Sequence, residues 1–195
     1  MPRMGLDHEA VVQAAVQLIE REGLEHFSMA KLAQSLNIRT ASLYNHVENM
    51  AALFTDIGLE SVTRMVGAEQ QAIAGKKGDD ALFAIAQAYR SFALEHRELY
   101  HVVMGLQKHQ NKVLELAAGQ ITEPILQVLA GYCLDQVQQI HWQRVLRAMM
   151  HGFVSHEEAG GFSHFPVNRE ESYHIAIQCV ADALNAIRKS KEQGE

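Results

Sequence analysis

The sequence of 195 residues predicts an all-α fold: an N-terminal three-helix domain containing a helix-turn-helix, followed by a larger helical domain. Three observations predict it. Apolar residues recur at intervals of three and four along most of the chain, the period of one helix face. Proline occurs at positions 2, 124 and 166 alone, so long helices are permitted almost throughout. Asn37 separates two short helical patterns, SMAKLAQSL and TASLYNH. Apart from glycine, Asn best tolerates the left-handed backbone that such a reversal needs.

The first helix is expected in LDHEAVVQAAVQLIEREG. Asp7 can cap it, Val11, Ala15, Leu18 and Ile19 form its stripe, and Gly23 suits its C-terminal stop. Ser28 can cap the second helix, on which Leu32, Ala33 and Leu36 share one face. Ala33 is small enough to let the third helix cross closely, and Ile38 and Leu43 return apolar groups to the core. A short helix presented in this way is the device that enters the major groove of double-stranded DNA. The expected contact set is Ser28, Lys31, Arg39, Thr40, Ala41, Ser42, Tyr44, Asn45 and His46. Thr40, Ser42 and Asn45 are the favoured base-edge or sugar contacts, because Asn can pair with adenine through two hydrogen bonds and Thr can touch a thymine methyl. For Tyr44 packing is the competing role, and for His46 the orientation of its neighbours. Asn49 can cap a fourth helix running from Met50 through Leu59 and Val62, the mechanical link between residues 1–50 and residues 51–195.

Residues 74–80, AGKKGDD, read as a loop between helices. Leu82, Ile85, Tyr89 and Phe92 then mark a helix, RELYHVVMGL a shorter one, and residues 111–132 a long one that Pro124 should kink or split. Residues 135–158 place Trp142, Leu146, Met149 and Phe153 on one seam. Residues 169–190 do the same with Tyr173, Ile177, Val180, Leu184 and Ile187, with Asn168 as cap and Glu171 closing a capping box. Two such seams either pack on each other within one chain or meet their copies as a four-helix bundle. Symmetric operator recognition favours the homodimer, with Leu146, Phe153, Tyr173, Ile177, Val180, Leu184 and Ile187 at the interface. Tyr89, Phe92, Tyr100, Met104, Trp142, Met149 and Met150 are the candidate lining for an apolar or aromatic small-molecule effector, although core packing accounts for the same residue types.

Residues 1–50 hold four basic and six acidic side chains, so the expected grip on phosphate is modest and uses few ion pairs. Arg3, Lys31 and Arg39 can share one face. Cys133 and Cys179 are too few and too scattered for a disulfide scaffold and read as buried thiols. His151, His156, Glu157 and His164 lie close in sequence, but a spacing of five does not stack ligands on one helix face, so no metal is expected. His96, His101, His109 and His141 read as surface groups or polar contacts to a ligand. No cofactor motif, catalytic constellation, signal segment or membrane-spanning run is present, so a cytoplasmic, non-enzymatic protein with no membrane partner is expected.

From Leu6 to Val62 the chain resembles the N-terminal domain of the tetracycline-repressor (TetR) family. The residues that carry the likeness are AVVQAAVQLIEREGLEHFSMAKLAQSLNIRTASLYNHVENMAALF, with LYNHV the most specific piece. Trp142, His151-Gly152-Phe153 and the loop around Glu158, Gly160, Gly161 and Phe162 resemble the family's WHG-type C-terminal domain. The resemblance implies a homodimeric transcriptional repressor that binds a pseudo-palindromic operator and leaves it when an effector binds. The chain departs from the family pattern at Met50, where a phosphate-gripping Lys is common, and at Met29 and Ala30, where a basic residue is common. Asn37 replaces a usual Gly and Arg39 a usual Ser. The first departures weaken the phosphate grip, and the last two keep the geometry. With the acidic N-terminal charge, Met50 and Ala30 motivate a second expectation: a helical ligand- or protein-binding module whose helix-turn-helix has lost DNA affinity.

Overall fold

A computed structural model describes residues 6–106 and 111–192, which leaves Arg3 and His109 outside the described residues. The described residues form ten α-helices and no strand. Packing divides the chain into two units, Met1–Arg64 with His96–Ala118, and Met65–Glu95 with Gly119–Glu195.

In the first unit, α1 (His8–Glu22) starts where the Asp7 side chain accepts from the Ala10 N–H and stops at Gly23, whose φ of 88° few residues other than glycine adopt. Val11, Ala15, Leu18 and Ile19 are buried as the stripe requires, joined by Val12 and Val16. Ser28 Oγ accepts from the Lys31 N–H at 3.2 Å to open α2 (Met29–Ser35). Asn37 makes the reversal at φ 54°. The recognition helix is shorter than its sequence pattern: α3 spans Thr40–Leu43, and residues 44–46 continue as turns. Asn49 Oδ1 accepts from the Ala52 N–H at 2.9 Å, capping α4 (Met50–Ile73). α6 (Arg97–Gly105) packs on α1. The Arg64 guanidinium gathers Glu60, Glu20 and Gln13, while Glu20 also meets His96 Nδ1 at 2.6 Å. At Gly58 the α4 backbone is approached so closely that a Cβ would stand 2.9 Å from Leu114 and 3.0 Å from Leu106.

The second unit is built around α5 (Gly78–Glu95), which packs on α8 (Glu123–Leu129), α9 (Gln136–Glu158) and α10 (Arg169–Glu192). The loop expected at 74–80 ends sooner than its composition suggests. Gly78, Asp79 and Asp80 form the first turn of α5, where carboxylates meet the positive end of the helix dipole. The long helix expected over 111–132 is divided into α7 (Lys112–Gln120) and α8, with Pro124 in the first turn of α8, where its missing N–H costs nothing. Asp135 and Gln138 form a reciprocal capping box on α9. Asn168 Oδ1 accepts from the Glu170 N–H at 2.9 Å ahead of α10.

Two expectations fail here. Leu146, Tyr173, Ile177, Val180 and Leu184 are buried within the single chain, so these five dimer-seam residues are core. The Tyr173 hydroxyl donates to the Ala86 carbonyl at 2.7 Å, and its ring lies 5.5 Å from the Arg90 guanidinium, which grips Glu157 with two bonds of 2.8 Å. Periodicity identified the apolar faces correctly, but α5 and α8 pack on α9, and α5 and α9 pack on α10. Phe153 and Ile187 are half-buried. Cys133 and Cys179 are both exposed, the first held in the left-handed turn after Ala130–Tyr132 and the second on the outer side of α10.

Candidate nucleic-acid interface

The geometry of the helix-turn-helix follows from three small devices: the Ser28 cap, the Asn37 reversal, and Leu32, Ala33 and Leu43 buried where α2 and α3 meet. With those groups turned inward, the rest of the motif faces out. Tyr44 is 51% exposed, and Lys31, Arg39, Ala41 and Asn45 are exposed. Ser28, Thr40, Ser42 and His46 are half-buried, and Thr40 and Ser42 line a shallow groove with Ala30, Gln34, Asn37 and Arg39. The structure therefore brings the nine expected contact residues onto one short motif.

The motif's two described cations, Lys31 and Arg39, differ in their surroundings. Lys31 Nζ lies 3.1 Å from Glu22 Oε2, and Arg21 lies 2.9 Å from the same carboxylate. Arg21 first and Lys31 second hold Glu22 below the usual carboxylate range. Lys31 must give up that partner to reach a phosphate. Arg39 has no such partner among the described residues and is the motif's available cation. Met50 is half-buried and supplies no charge where α4 begins.

One contributor escaped sequence reasoning. His8 Nδ1–H donates to the His46 carbonyl at 2.8 Å, and its Nε2 stands 3.3 Å from Asp56 Oδ2. The first residue of α1 thus fixes the turn that follows α3. Nothing local to His8 signals this, because the partner lies 38 residues away.

Residues 11–57 match the family model described as bacterial regulatory proteins, tetR family. Residues 82–180 match the tetracyclin repressor-like C-terminal domain. The chain is 32% identical over 155 residues to YobS of Bacillus subtilis (strain 168), an uncharacterised HTH-type transcriptional regulator, covering 78% of this chain and 80% of the relative. The chain belongs to the TetR family. It is 30% identical over 149 residues to the class D tetracycline repressor protein of Escherichia coli, covering 75% of this chain and 68% of the repressor. Its fold matches the transcriptional regulator SCO7222 of Streptomyces coelicolor with a TM-score of 0.74 at 17% identity, over 94% of this chain and 99% of that one. This TetR-family protein is a DNA-binding transcriptional regulator, in a family where repression is the typical role and whose regulators dimerise. The matches give no support to a helix-turn-helix that has lost DNA affinity.

The effector residues expected from sequence divide between the two units. Tyr89, Phe92 and Met150 are buried in the second, where Trp142 and Met149 are half-buried. Tyr100, buried, and Met104, half-buried, belong to the first. The same second unit holds Glu69, fully buried on α4, whose two carboxylate oxygens have no hydrogen-bond partner among the described residues. Loss of hydration pushes its pKa up to about 8 against the opposing pull of Arg147. No helix among the described residues is long and apolar enough to cross a membrane.

Proposed function

We propose that this TetR-family regulator is a homodimeric repressor that leaves a pseudo-palindromic operator when an apolar or aromatic small molecule binds. Residues 1–50 read the DNA, and residues 51–195 sense the effector and dimerise. The observation that carries the DNA half is the outward display of Arg39, Ala41, Tyr44 and Asn45, with Thr40 half-buried beside them, on a motif that buries Met29, Leu32, Ala33, Leu43 and Val47. Asn45 and Thr40 read base edges; Arg39, Tyr44 and His46 hold phosphate, with Lys31 joining once it exchanges Glu22 for DNA. The surface open to a second copy is the outer side of the last two helices, where Val137, Ile140 and Val145 on α9 and Ile175 on α10 are exposed. That face replaces the buried seam as the dimer contact. Tyr89, Phe92, Trp142, Met149 and Met150 supply aromatic and polarisable groups for the effector. The protein works in the cytoplasm and carries out no catalysis of its own.

The test is operator binding by the purified protein, using DNA from upstream of its own gene across a salt series. Selective binding that weakens with salt is expected, with Asn45→Ala costing about 1–3 kcal/mol of sequence discrimination. The slope of affinity against salt should be shallow, because Arg39 is the available cation, and Arg39→Ala should reduce it by about one phosphate. Binding that ignores sequence, or is unchanged in Asn45→Ala, would refute this assignment of the reading surface.

A further inference from the structure

The first unit contains a cavity of about 800 Å³ whose described lining includes His101 but none of the aromatic and methionine residues expected to hold an effector. We propose that it is an effector site in its own right, one that takes a small neutral aromatic molecule and acts directly on the start of α4. The inference rests on the repressor reading above and adds to it the place and the chemical class of an inducer.

Size and chemistry select the ligand. Ligand pockets generally measure ~300–1,000 Å³ and are mostly apolar with a few convergent polar groups. Here Phe54, Val102, Leu106 and Leu114 provide apolar wall, and Ala51, Ala52 and Gly105 leave the floor open. A Cβ at Gly105 would meet nothing within 4 Å. The polar element is a bond that joins two helices: Asn111 Nδ2 donates to Thr55 Oγ1 at 3.0 Å, while Asn111 Oδ1 accepts from the Val113 N–H. A ligand oxygen or nitrogen can compete for that pair. The described lining includes the Glu48 carboxylate and the His101 imidazole and holds no Lys or Arg, so among the described residues no permanent cation offsets that carboxylate, and a neutral molecule is favoured over an anion.

Position makes the cavity regulatory. Glu48 and Asn49 are both in its wall, and Asn49 caps α4 three residues after His46. Leu106 and Leu114 line it too, and these are the side chains already pressed against the backbone at Gly58. A molecule that displaces either leucine pushes on α4 itself, since no side chain at position 58 cushions the contact. Occupancy is therefore coupled to the helix whose cap follows the DNA-reading turn.

The test uses the full-length protein and a fluorescent pair that differs in charge: neutral N-phenyl-1-naphthylamine and its anionic analogue 8-anilinonaphthalene-1-sulfonate. The neutral probe should bind the wild type at least about tenfold more tightly than the anion and should weaken operator binding. Gly105→Leu and Ala51→Leu, which fill the floor from different helices, should each lose at least about tenfold in neutral-probe affinity. Either variant should keep its melting temperature and its operator binding without probe, and lose the probe's effect on DNA. Two variants are used so that, if one misfolds, the other still decides the question. Neutral-probe affinity unchanged in a folded filler variant, preference for the anion, or probe binding with operator affinity unaffected would each overturn the proposal. If the wild type never binds operator, the repressor reading fails by itself, and the two filler variants still decide whether the cavity is the binding site.

Discussion

The helix-turn-helix and the α9–α10 pair carry apolar residues at the same helical spacing, yet sequence resolves the first far better than the second. In the helix-turn-helix the caps and the reversal are local, and the bond from His8 to His46 is the distant contact. Ser28 caps its own helix, Asn37 makes its own turn, and Asn49 caps the helix that follows, each of these bonds spanning three residues or fewer. In α9 and α10 the decisive contacts are distant: Tyr173 bonds Ala86, and Glu157 binds Arg90 across 67 residues. Spacing shows which face is apolar and says nothing about which element covers it.

The sharpest way to break the comparison is Arg90→Ala. It strips Glu157 of a bidentate partner inside the second unit, and removing one member of a buried pair costs ~3–5 kcal/mol. Exposed Arg169, 3.8 Å from the same carboxylate, recovers little of this. Denaturant unfolding should show a loss near 3 kcal/mol, approached from the low end of that range. A loss below about 1 kcal/mol would make the distant contacts no stronger than the local caps.

Glu69→Gln probes a second buried group, with the opposite sign. Folding raises the Glu69 pKa to about 8 from an ordinary 4.5, so the folded chain binds a proton that the unfolded chain releases. Stability is complete below about pH 4.5 and falls as pH rises toward about 8, above which the carboxylate is charged in both states and the loss is full. Glu69→Gln should remove this decline and stabilise the protein at pH 8 by about 2 kcal/mol or more. Melting temperatures across pH 5–9 check it. Parallel profiles for wild type and variant would mean that Glu69 finds a partner.

The smallest effect sharpens the local side. Ser28→Ala removes one cap bond and should cost about 1 kcal/mol. The loss should appear as faster amide exchange in α2, with exchange in α9 and α10 unchanged. Equal acceleration in both regions would show that the caps are not local devices.

These scales explain what was legible in the chain. The Asp7, Ser28 and Asn49 caps, the Gly23 stop and the division at Pro124 depend on neighbours in sequence, and the structure has them where the residues predict. The outward placement of Lys31, Arg39, Ala41, Tyr44 and Asn45 follows from the same local geometry. The pairing of Lys31 with Glu22 was not legible, because it depends on how α1 lies beside α2. Glu69 gave no warning either: a single Glu in MVGAEQQAIAG reads as a solvated position until packing closes over it. Cys133 and Cys179 were misjudged because small apolar residues are usually buried, a tendency that a turn and an outward helix face override here.

The four-residue length of α3 has a thermal consequence. Helices shorter than about 12–15 residues are marginal alone, because nucleation outweighs the few bonds gained. The DNA-reading segment is therefore held in shape by its packing on α2, through Leu43 and the turn that His8 fixes. Warming should loosen that segment before the protein as a whole melts. Operator binding measured across temperature should then fall more steeply than the folded fraction does, so that heat alone would loosen the hold on DNA.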